Sequence, residues 1–366
     1  MTTATPRPAA GTAHAVAHDR PLVVTASPHL KGRDSTPRIM WNVVGSLVPL
    51  IVAAAWFFGP SALLVIAASV LGAVLTEHYL GGRATRGPGA SPGRRSSLAD
   101  GSAAITGILL GLTLPAGMPL WMPFIGGAFA IGFGKIIFGG LGANVFNPAL
   151  LGRAFLQAAF PVAITTWPVA GAGSPIWWAL RGDNFALPFM AAQSDAVTAA
   201  TPLGLMKFEH ATSPLRDLML GTTGGSLGET AGILILLCGG YLALRGYLNW
   251  RIPVSILATV AAFAGVLHAI DPARYGSAPF MLFSGGLMLG AVFMATDMVT
   301  APVTNAGRWI FGLGIGLLVV IIRVWGGLPE GVMYAILLMN AFVPFINRAT
   351  RPRPFGRVRI AKENNA

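Results

Sequence analysis

Ten apolar segments follow one another along the chain, separated by short polar or Gly/Pro-rich breaks and by one long polar stretch, residues 162–228. The segments cover residues 40–59, 61–80, 101–114, 119–138, 147–161, 229–247, 252–270, 279–296, 308–325 and 329–347. A helix needs about 20 mostly apolar residues to cross a bilayer. The pattern therefore predicts an all-α integral membrane protein with ten transmembrane helices, five on each side of the polar stretch.

The two halves of the chain repeat one another. Residues 101–114 end at Pro115, and residues 288–301 end at Pro302, 187 positions later. Over residues 139–155 aligned with 326–342, eight of seventeen positions are identical: Gly139/Gly326, Gly140/Gly327, Leu141/Leu328, Val145/Val332, Leu150/Leu337, Leu151/Leu338, Ala154/Ala341 and Phe155/Phe342. Short apolar segments interrupted by Gly and Pro at matching places are typical of broken helices that form a midplane site. Because each half has an odd number of spans, we predict two inverted five-helix repeats with short broken helices.

The distribution of basic residues predicts how this topology is oriented in the membrane. Hydrophobic residues make up 54% of the chain and charged residues 10%, and the net charge is +12. The basic residues gather in the N-terminal tail, in the loop 81–99 and in the C-terminal tail. With ten spans these three regions share one side, which the positive-inside rule makes cytoplasmic. The charge excess thus predicts contact with anionic membrane lipids rather than with nucleic acid.

The predicted organisation has five parts. They are a cytoplasmic N-terminal tail (1–38), a first five-helix repeat (39–161), an outer-face segment (162–228), a second five-helix repeat (229–347) and a basic cytoplasmic C-terminal tail (348–366). Cys238 is the only cysteine, which excludes an internal disulfide and an iron–sulfur cluster held by this chain alone. We predict no metal site, because His29 and His78 fit interfacial positions better and no cluster has metal-ligand spacing.

The outer segment contains the stretch DAVTAATPLGLMKF, residues 195–208. The small side chains of Ala199 and Ala200 are expected to leave the hydroxyl of Thr201 accessible, and Pro202 favours an extended backbone before it. This pattern alone fits a helix-capping or turn threonine as well as a modification site.

Several ordered motifs, spread over residues 27–350, resemble a known family. They are SPHLKGRDSTPRIM at 27–40, ITGILLGLTLP at 105–115, FGGLGANVFNPALLGRAF at 138–155, DAVTAATPLG at 195–204 and FMATDMVTAPVT at 293–304. The chain is similar to the NqrB/RnfD family. This family includes the RnfD component of the Rnf ion-translocating ferredoxin:NAD oxidoreductase and the NqrB component of the sodium-pumping NADH:quinone reductase.

The resemblance implies a covalent flavin. In that family the threonine that ends a [Ser/Thr]-Gly-Ala-Thr-like motif carries FMN through a phosphoester made by a dedicated, exported flavin transferase. The matching acceptor is Thr201, and its expected context is Thr198, Ala199, Ala200, Pro202 and Leu203. This chain departs from the commonest motif, with Thr198 and Ala199 where Ser and Gly are typical. Some members of the family also bind a second, non-covalent flavin, riboflavin.

The resemblance further implies a redox component of the bacterial inner membrane that is not catalytic alone. Its implied partners are the A, B, C, E and G components of the Rnf complex, the flavin transferase, membrane lipids and the translocated Na⁺ or H⁺. We predict no acid, base or nucleophile that performs catalysis. The rival interpretation of the repeats is a channel or secondary transporter on a urea/ammonium-transporter-like scaffold. Thr201 discriminates between the two, because a channel needs no flavin acceptor.

Three charged residues are predicted near membrane depth, where ionisable groups are usually functional. Asp100 fits a helix cap or an ion path equally well. Lys135 fits snorkelling toward cytoplasmic headgroups better than an ion path. Asp297, at the repeated break, fits either capping of backbone amides or attraction of a cation. By resemblance, Asp100 and Asp297 match acidic positions tied to cation uptake. Together with Lys135, they are the predicted residues of the ion path.

Three further polar residues lie where the fifth predicted helix begins. Asn144 and Asn147 precede Pro148, and their amides are expected to satisfy backbone groups freed at a helix break. Arg153 is predicted to balance either a flavin phosphate or a carboxylate.

Overall fold

The computed structural model describes residues 34–81, 97–168, 180, 182–188, 190, 200–209, 211–221, 223–229 and 232–352. Every regular element in these residues is a helix. In chain order the helices are α1 (Thr36–Phe58), α2 (Pro60–Thr76), α3 (Ser102–Leu112), α4 (Trp121–Ile131), α5 (Pro148–Ala159), α6 (Pro161–Thr165), α7 (Pro202–Gly204), α8 (Leu215–Leu220), α9 (Gly232–Leu244), α10 (Arg251–Ile270), α11 (Ala278–Phe283), α12 (Leu287–Leu289), α13 (Asn305–Trp325) and α14 (Val332–Ala349).

Four α-helices continue into a π-helical turn. These turns are Glu77–Gly81 after α2, Gly132–Ile136 after α4, Leu205–Glu209 after α7 and Gly290–Met294 after α12. A short 3₁₀ turn, Ser97–Asp100, precedes α3. Single π-helical turns are rare and are frequently found at functional sites, so these turns are natural places to look for function.

In the described part of the chain, five helices are long and apolar enough to cross a membrane: Thr36–Phe58, Pro60–Gly81, Arg251–Ile270, Asn305–Trp325 and Val332–Ala349. Shorter apolar helices occupy 102–112, 121–136 and 232–244. The chain is therefore a multi-pass membrane protein whose described part is helical. Each of the ten predicted segments contains helix, but ten crossings and their inverted orientation stay a prediction.

One predicted segment, residues 279–296, is not a continuous helix. The helix α11 stops at Phe283, and α12 starts at Leu287. Gly285 has a φ of 66°, a conformation that only glycine adopts without strain. The chain is thus interrupted within the apolar run itself, and backbone carbonyls are released there for other partners.

Helix packing places small residues at the closest approaches. The helices α2 and α4 pack along each other, and a Cβ on Gly72 would collide with the backbone carbonyl of Phe124. The helices α10 and α13 pack in the same way, and a Cβ on Gly312 would lie 2.6 Å from the Cβ of Ser255. Small residues allow this approach where lipid supplies no hydrophobic drive. The two pairs are the second and fourth helices of the two predicted repeats.

Candidate functional site

Two cavities lie on either side of the segment that starts with the π turn Gly290–Met294. We call them the Thr201 cavity and the Asp297 cavity. Polar and aromatic residues of the Thr201 cavity are Thr113, Arg153, Gln157, Thr165, Trp167, Thr201, Glu330 and Tyr334. Polar and aromatic residues of the Asp297 cavity are Ser102, Thr106, Lys135, Asn144, Asn147, Tyr247, Phe293, Thr296 and Asp297. The structure therefore separates the predicted flavin acceptor from most of the predicted ion-path residues.

Thr201 lies inside the protein and not on an accessible loop surface. Its residue surface is 8% exposed, and its Oγ1 accepts a hydrogen bond of 3.1 Å from the backbone N–H of Gly204, which caps α7. Leu203 anchors this turn, because its side chain packs against Gly285 at the break between α11 and α12. Ala200 is exposed. Thr198 and Ala199 lie outside the described residues.

Lys207 holds the π turn after α7 against the loop between α13 and α14. Its Nζ donates hydrogen bonds to the backbone carbonyls of Gly326 and of Leu328, the second at 3.0 Å. Partial burial lowers the pKa of the Lys207 ammonium. These two hydrogen bonds fix the position of the loop that leads to Glu330, and Glu330 lines the Thr201 cavity.

A charge cluster, made of Arg153, Glu229, Arg323 and Glu330, lies beside the Thr201 cavity, which Arg153 and Glu330 line. Nη2 of Arg153 donates to Oε2 of Glu330 at 2.7 Å, and Nη1 of Arg153 lies 3.9 Å from Oε1 of Glu229. Arg153 thus pairs with carboxylates in this structure. It joins three elements that are far apart in sequence: α5, the turn before α9 and the loop before α14.

Arg323 stabilises the break between α11 and α12. It lies in the apolar helix α13 and is 1% exposed. Its Nη1 donates to the carbonyl of Met281 at 2.6 Å, and its Nη2 donates to the carbonyl of Ser284 at 2.9 Å. Backbone groups freed by a helix break at membrane depth need such partners. Arg323 was not predicted from the sequence, although an arginine inside the apolar run 308–325 is the same signal that marked Lys135.

Glu229 and Glu330 were not predicted either, and their signal is weaker. Both precede an apolar helix. An acidic residue near the N-terminus of a helix usually stabilises it through the helix dipole and does not by itself indicate a functional site. Their shared contact with Arg153 is what identifies Glu229 and Glu330 as candidate functional residues. That contact depends on how the two halves of the chain pack together, so the sequence does not reveal it.

In the Asp297 cavity, Lys135 does not reach toward the headgroups. The residue is 3% exposed, and its Nζ lies 2.6 Å from Oε1 of Glu77 and 2.5 Å from Oγ of Ser102. Snorkelling requires an open path to the interface, whereas here a buried carboxylate offers a closer partner. Ser102 in turn donates its Oγ–H and its backbone N–H to Oδ1 of Asp100, at 2.6 and 2.9 Å. A continuous polar chain therefore links Glu77, Lys135, Ser102 and Asp100.

Asp297 and the two asparagines bind backbone groups around the break. Oδ1 of Asp297 accepts from the N–H of Val299 at 3.2 Å. Oδ1 of Asn147 caps α5 by accepting from the N–H of Ala149 at 3.0 Å, while its Nδ2 donates to the carbonyl of Met294 at 3.0 Å. Nδ2 of Asn144 donates to the carbonyl of Phe146 at 3.3 Å. Asn147 is the residue that joins the two cavities, since Met294 also lines the Thr201 cavity.

Comparison with known proteins places this architecture in one family. The model of the NQR2, RnfD, RnfE family matches residues 23–356. The D component of the ion-translocating oxidoreductase complex of Stutzerimonas stutzeri is 43% identical, covering 89% of this chain and 93% of that protein. The D component of the proton-translocating ferredoxin:NAD(+) oxidoreductase complex of Clostridium ljungdahlii is 40% identical, covering 92% and 96%. Its Na(+)-translocating counterpart from Acetobacterium woodii is also 40% identical, covering 94% and 98%.

Proposed function

The chain belongs to the NQR2, RnfD, RnfE family, and we propose that it is the D-type membrane component of an ion-translocating ferredoxin:NAD oxidoreductase complex. In this role it passes electrons through covalently bound FMN, and the complex couples their transfer to movement of Na⁺ or H⁺. The chain is not catalytic alone. The sequence has a single cysteine and no Gly-rich dinucleotide fingerprint, so the NAD and iron–sulfur sites are assigned to partner proteins of the complex.

The observation that carries the flavin assignment is the position of Thr201 on a cavity with Arg153. The Thr201 hydroxyl oxygen accepts one hydrogen bond in the structure, so its own O–H is not needed to hold α7 in place. Nε of Arg153 is buried and has no hydrogen-bond partner among the described residues. A hydroxyl that lines the same cavity as an arginine with spare donor capacity fits a phosphoester, because arginine binds phosphate oxygens strongly.

The lining also suits an aromatic ring. Trp167 and Tyr334 border the cavity together with the amide of Gln157. Flat aromatic side chains with a few polar groups are the usual composition of small-molecule sites. When bound, FMN would supply the electron-carrying chemistry, and the residues of this chain would hold the ring, exclude water and set the local charge.

A tether at Thr201 would be held firmly. Pro202 and Leu203 are buried, and Lys207 fastens the following turn to the α13–α14 loop. A covalently held cofactor avoids the entropy cost of binding a free flavin in every turnover. Rigid attachment also keeps the distance to the next electron carrier constant.

The proposed topology has ten spans in two inverted five-helix repeats, with both termini in the cytoplasm and residues 162–228 on the outer face of the bacterial inner membrane. The equivalent packing of α2 with α4 and of α10 with α13 supports the repeat. The basic tails and the basic loop lie largely outside the described residues, so the orientation rests on their sequence. An outer connector agrees with modification of Thr201 by an exported transferase.

The Asp297 cavity is the proposed inner part of the ion path. Asp297 and Lys135 line it, and Asp100 is linked to Lys135 through Ser102. The Asp297 cavity is separated from the Thr201 cavity by the π turn Gly290–Met294 and by Asn147. The relatives from Clostridium ljungdahlii and Acetobacterium woodii are equally identical to this chain but are named for different ions. The choice between Na⁺ and H⁺ therefore needs a transport measurement.

A second, non-covalent flavin, riboflavin, is proposed for the Asp297 cavity. Its lining is mostly apolar with a few polar groups, and Oδ1 of the buried Asn144 has no hydrogen-bond partner among the described residues. Such an acceptor fits a flavin N–H or ribityl hydroxyl. A channel or secondary transporter is the alternative function, and the oxidoreductase names of the relatives favour the redox role over it.

The deciding experiment is in-gel flavin fluorescence of the denatured chain, co-expressed with the flavin transferase. We expect fluorescence in the wild type and none in Thr201→Ala. Thr165→Ala is the matched control, because Thr165 also presents a hydroxyl at this cavity and is expected to retain the flavin. Fluorescence that persists in Thr201→Ala would reject the acceptor, and absence from all three proteins would favour the transporter.

A further inference from the structure

Two carboxylates in the charge cluster, the buried Glu229 and the partly exposed Glu330, each have one oxygen without a hydrogen-bond partner. Oε1 of Glu229 and Oε1 of Glu330 are both unsatisfied among the described residues. The two atoms approach neighbouring glycines: a Cβ on Gly286 would lie 2.9 Å from Oε1 of Glu229, and a Cβ on Gly285 would lie 3.2 Å from Oε1 of Glu330. Each unsatisfied oxygen therefore lies next to one of two adjacent glycines at the break between α11 and α12. Both carboxylates contact Arg153, and the Glu229 and Glu330 side chains are within hydrogen-bonding range of each other.

The other oxygen of each carboxylate already has a donor. Oε2 of Glu330 accepts from Arg153 at 2.7 Å, and Oε2 of Glu229 accepts from the N–H of Ser226 at 3.4 Å. Arg323 supplies charge but directs its two Nη groups to backbone carbonyls. Neither unsatisfied oxygen can obtain a donor from the other while both carboxylates are charged. A single proton on either group changes this, since a carboxylic acid can donate to a neighbouring carboxylate.

We propose that Glu229 and Glu330 form a carboxyl dyad that holds one shared proton beside the Thr201 cavity, and that this proton balances the charge of an anion bound in the cavity. The proton comes from a hydronium ion of the solvent that enters through the Thr201 cavity, which Glu330 lines. One O–H bond of the hydronium ion breaks, an O–H bond forms at one carboxylate, and a water molecule is left. No electron moves in this step. Two acidic groups at close range characteristically share a proton because they cannot both ionise.

Charge counting supports the second part of the proposal. With both carboxylates ionised, two arginines and two glutamates sum to zero. With one shared proton the cluster carries one positive charge. A phosphodiester at Thr201 carries one negative charge, so the loaded cavity and the protonated cluster together are neutral. A buried uncompensated charge is costly, and neutrality removes that cost. This second part rests on the proposed flavin, whereas the dyad itself does not.

A sodium ion fits the dyad less well than a proton. Sodium prefers several oxygen ligands, and the nearby carbonyls of Met281 and Ser284 are occupied by Arg323. Arg153 also lies against both carboxylates and repels a metal cation. Within the described residues, the charged and titratable groups that face the dyad or its cavity are Arg153 on α5, Arg323 on α13, Tyr334 on α14 and the dyad members themselves.

The test is infrared difference spectroscopy of the full chain in its complex, with pH as the variable. We expect the wild type at neutral pH to show the carbonyl stretch of a protonated carboxylic acid. Because one proton serves both residues, Glu229→Gln and Glu330→Gln are each expected to remove it. Asp217→Asn, which alters an acid that lines neither cavity, is expected to leave it in place. A band that survives in either dyad variant, or that is missing from the wild type, would overturn the dyad.

Two further comparisons separate a folding defect from loss of the proton. If a glutamine variant does not fold, Glu330→Asp is the replacement, because it keeps a carboxylic acid and is expected to shift the carbonyl band. The pH titration of that band in the wild type tests the dyad without any variant. Thr201→Ala lacks the proposed anion, so its dyad is expected to lose the proton at lower pH than in flavin-loaded wild type. If the pH midpoint for loss of the acid band is the same in the two proteins, and flavin is shown to be attached in the wild type, charge balancing is overturned but the dyad is not. Absence of flavin would instead refute the proposed acceptor and leave the dyad test intact.

Discussion

The Nζ of Lys135 lies 2.6 Å from Oε1 of Glu77, and both residues sit in π-helical turns that end different helices. The side chains are 4% and 1% exposed. A π turn shifts the register of a helix, which here directs two charged side chains toward each other inside the protein. The pair forms one wall of the proposed ion path, where Lys135 holds a positive charge facing the cavity that contains Asp297.

Removing one member of this pair is expected to destabilise the protein strongly. Lys135→Met leaves Glu77 buried without its cation, at a cost of about 3–5 kcal/mol. The double variant Lys135→Met/Glu77→Gln removes both charges and is expected to recover much of that loss. Thermal unfolding of the purified chain in detergent measures both. A single variant as stable as the wild type would show that the pair is not buried in the membrane-embedded protein.

Asn147 is expected to show two separable roles. Asn147→Ala removes the cap of α5 and the bond to Met294, and loss of a cap alone costs about 0.5–2 kcal/mol. Asn147→Asp keeps the cap acceptor but cannot donate to the Met294 carbonyl.

Stability and ion-coupled electron transfer of the complex are to be measured in both variants. We expect both variants to unfold at a lower temperature than the wild type, Asn147→Asp because it buries a carboxylate against the Met294 carbonyl. We also expect the coupling ratio of the folded Asn147→Asp complex to fall. Unchanged coupling in that variant would contradict a role for the Asn147–Met294 contact between the cavities.

The packing of α2 against α4 is expected to tolerate no added methyl group at Gly72. A Cβ there meets the backbone carbonyl of Phe124, which cannot move aside as a side chain can. Overpacking of this kind costs about 1–3 kcal/mol or more, so Gly72→Ala is expected to lower the amount of folded protein.

Gly45→Ala is the matched control, because Gly45 also lies in a helix but an added Cβ meets nothing within 4 Å. It is expected to be neutral or slightly stabilising, as Ala is a better helix former than Gly. Equal losses in the two variants would contradict the close approach of α2 and α4.

The outer placement of the connector is testable by thiol labelling. Cys238 is the only cysteine in the chain, so Cys238→Ala gives a cysteine-free background. Ala200→Cys, at an exposed position beside Thr201, is expected to react in intact cells with a membrane-impermeant reagent. Arg351→Cys, exposed after α14, is expected to react only after permeabilisation. The reverse pattern would remove Thr201 from the reach of an exported transferase.

Much of the fold can be predicted from the sequence, because the pattern of apolar and polar residues in a segment reflects whether that segment lies in lipid or in water. Apolar runs of membrane length mark helices that lipid surrounds, and each of the ten predicted segments contains helix. The Gly/Pro breaks could also be located, since those residues interrupt a helix wherever the surroundings allow it. Family motifs add Thr201, which the residue pattern alone could not distinguish from a capping threonine.

Residue order alone was thus enough to define a polytopic helical protein with two related halves, its family and the candidate threonine. Which charges meet became clear only from the packing of the helices. Arg153 and Glu330 are separated by 177 residues, and Lys135 and Glu77 by 58, so no local pattern connects them. Their partners depend on which helix faces come together, and small residues at crossings such as Gly72 set those approaches. Pairing of buried charges is a property of distance in space, and the chain acquires it only when its helices have packed.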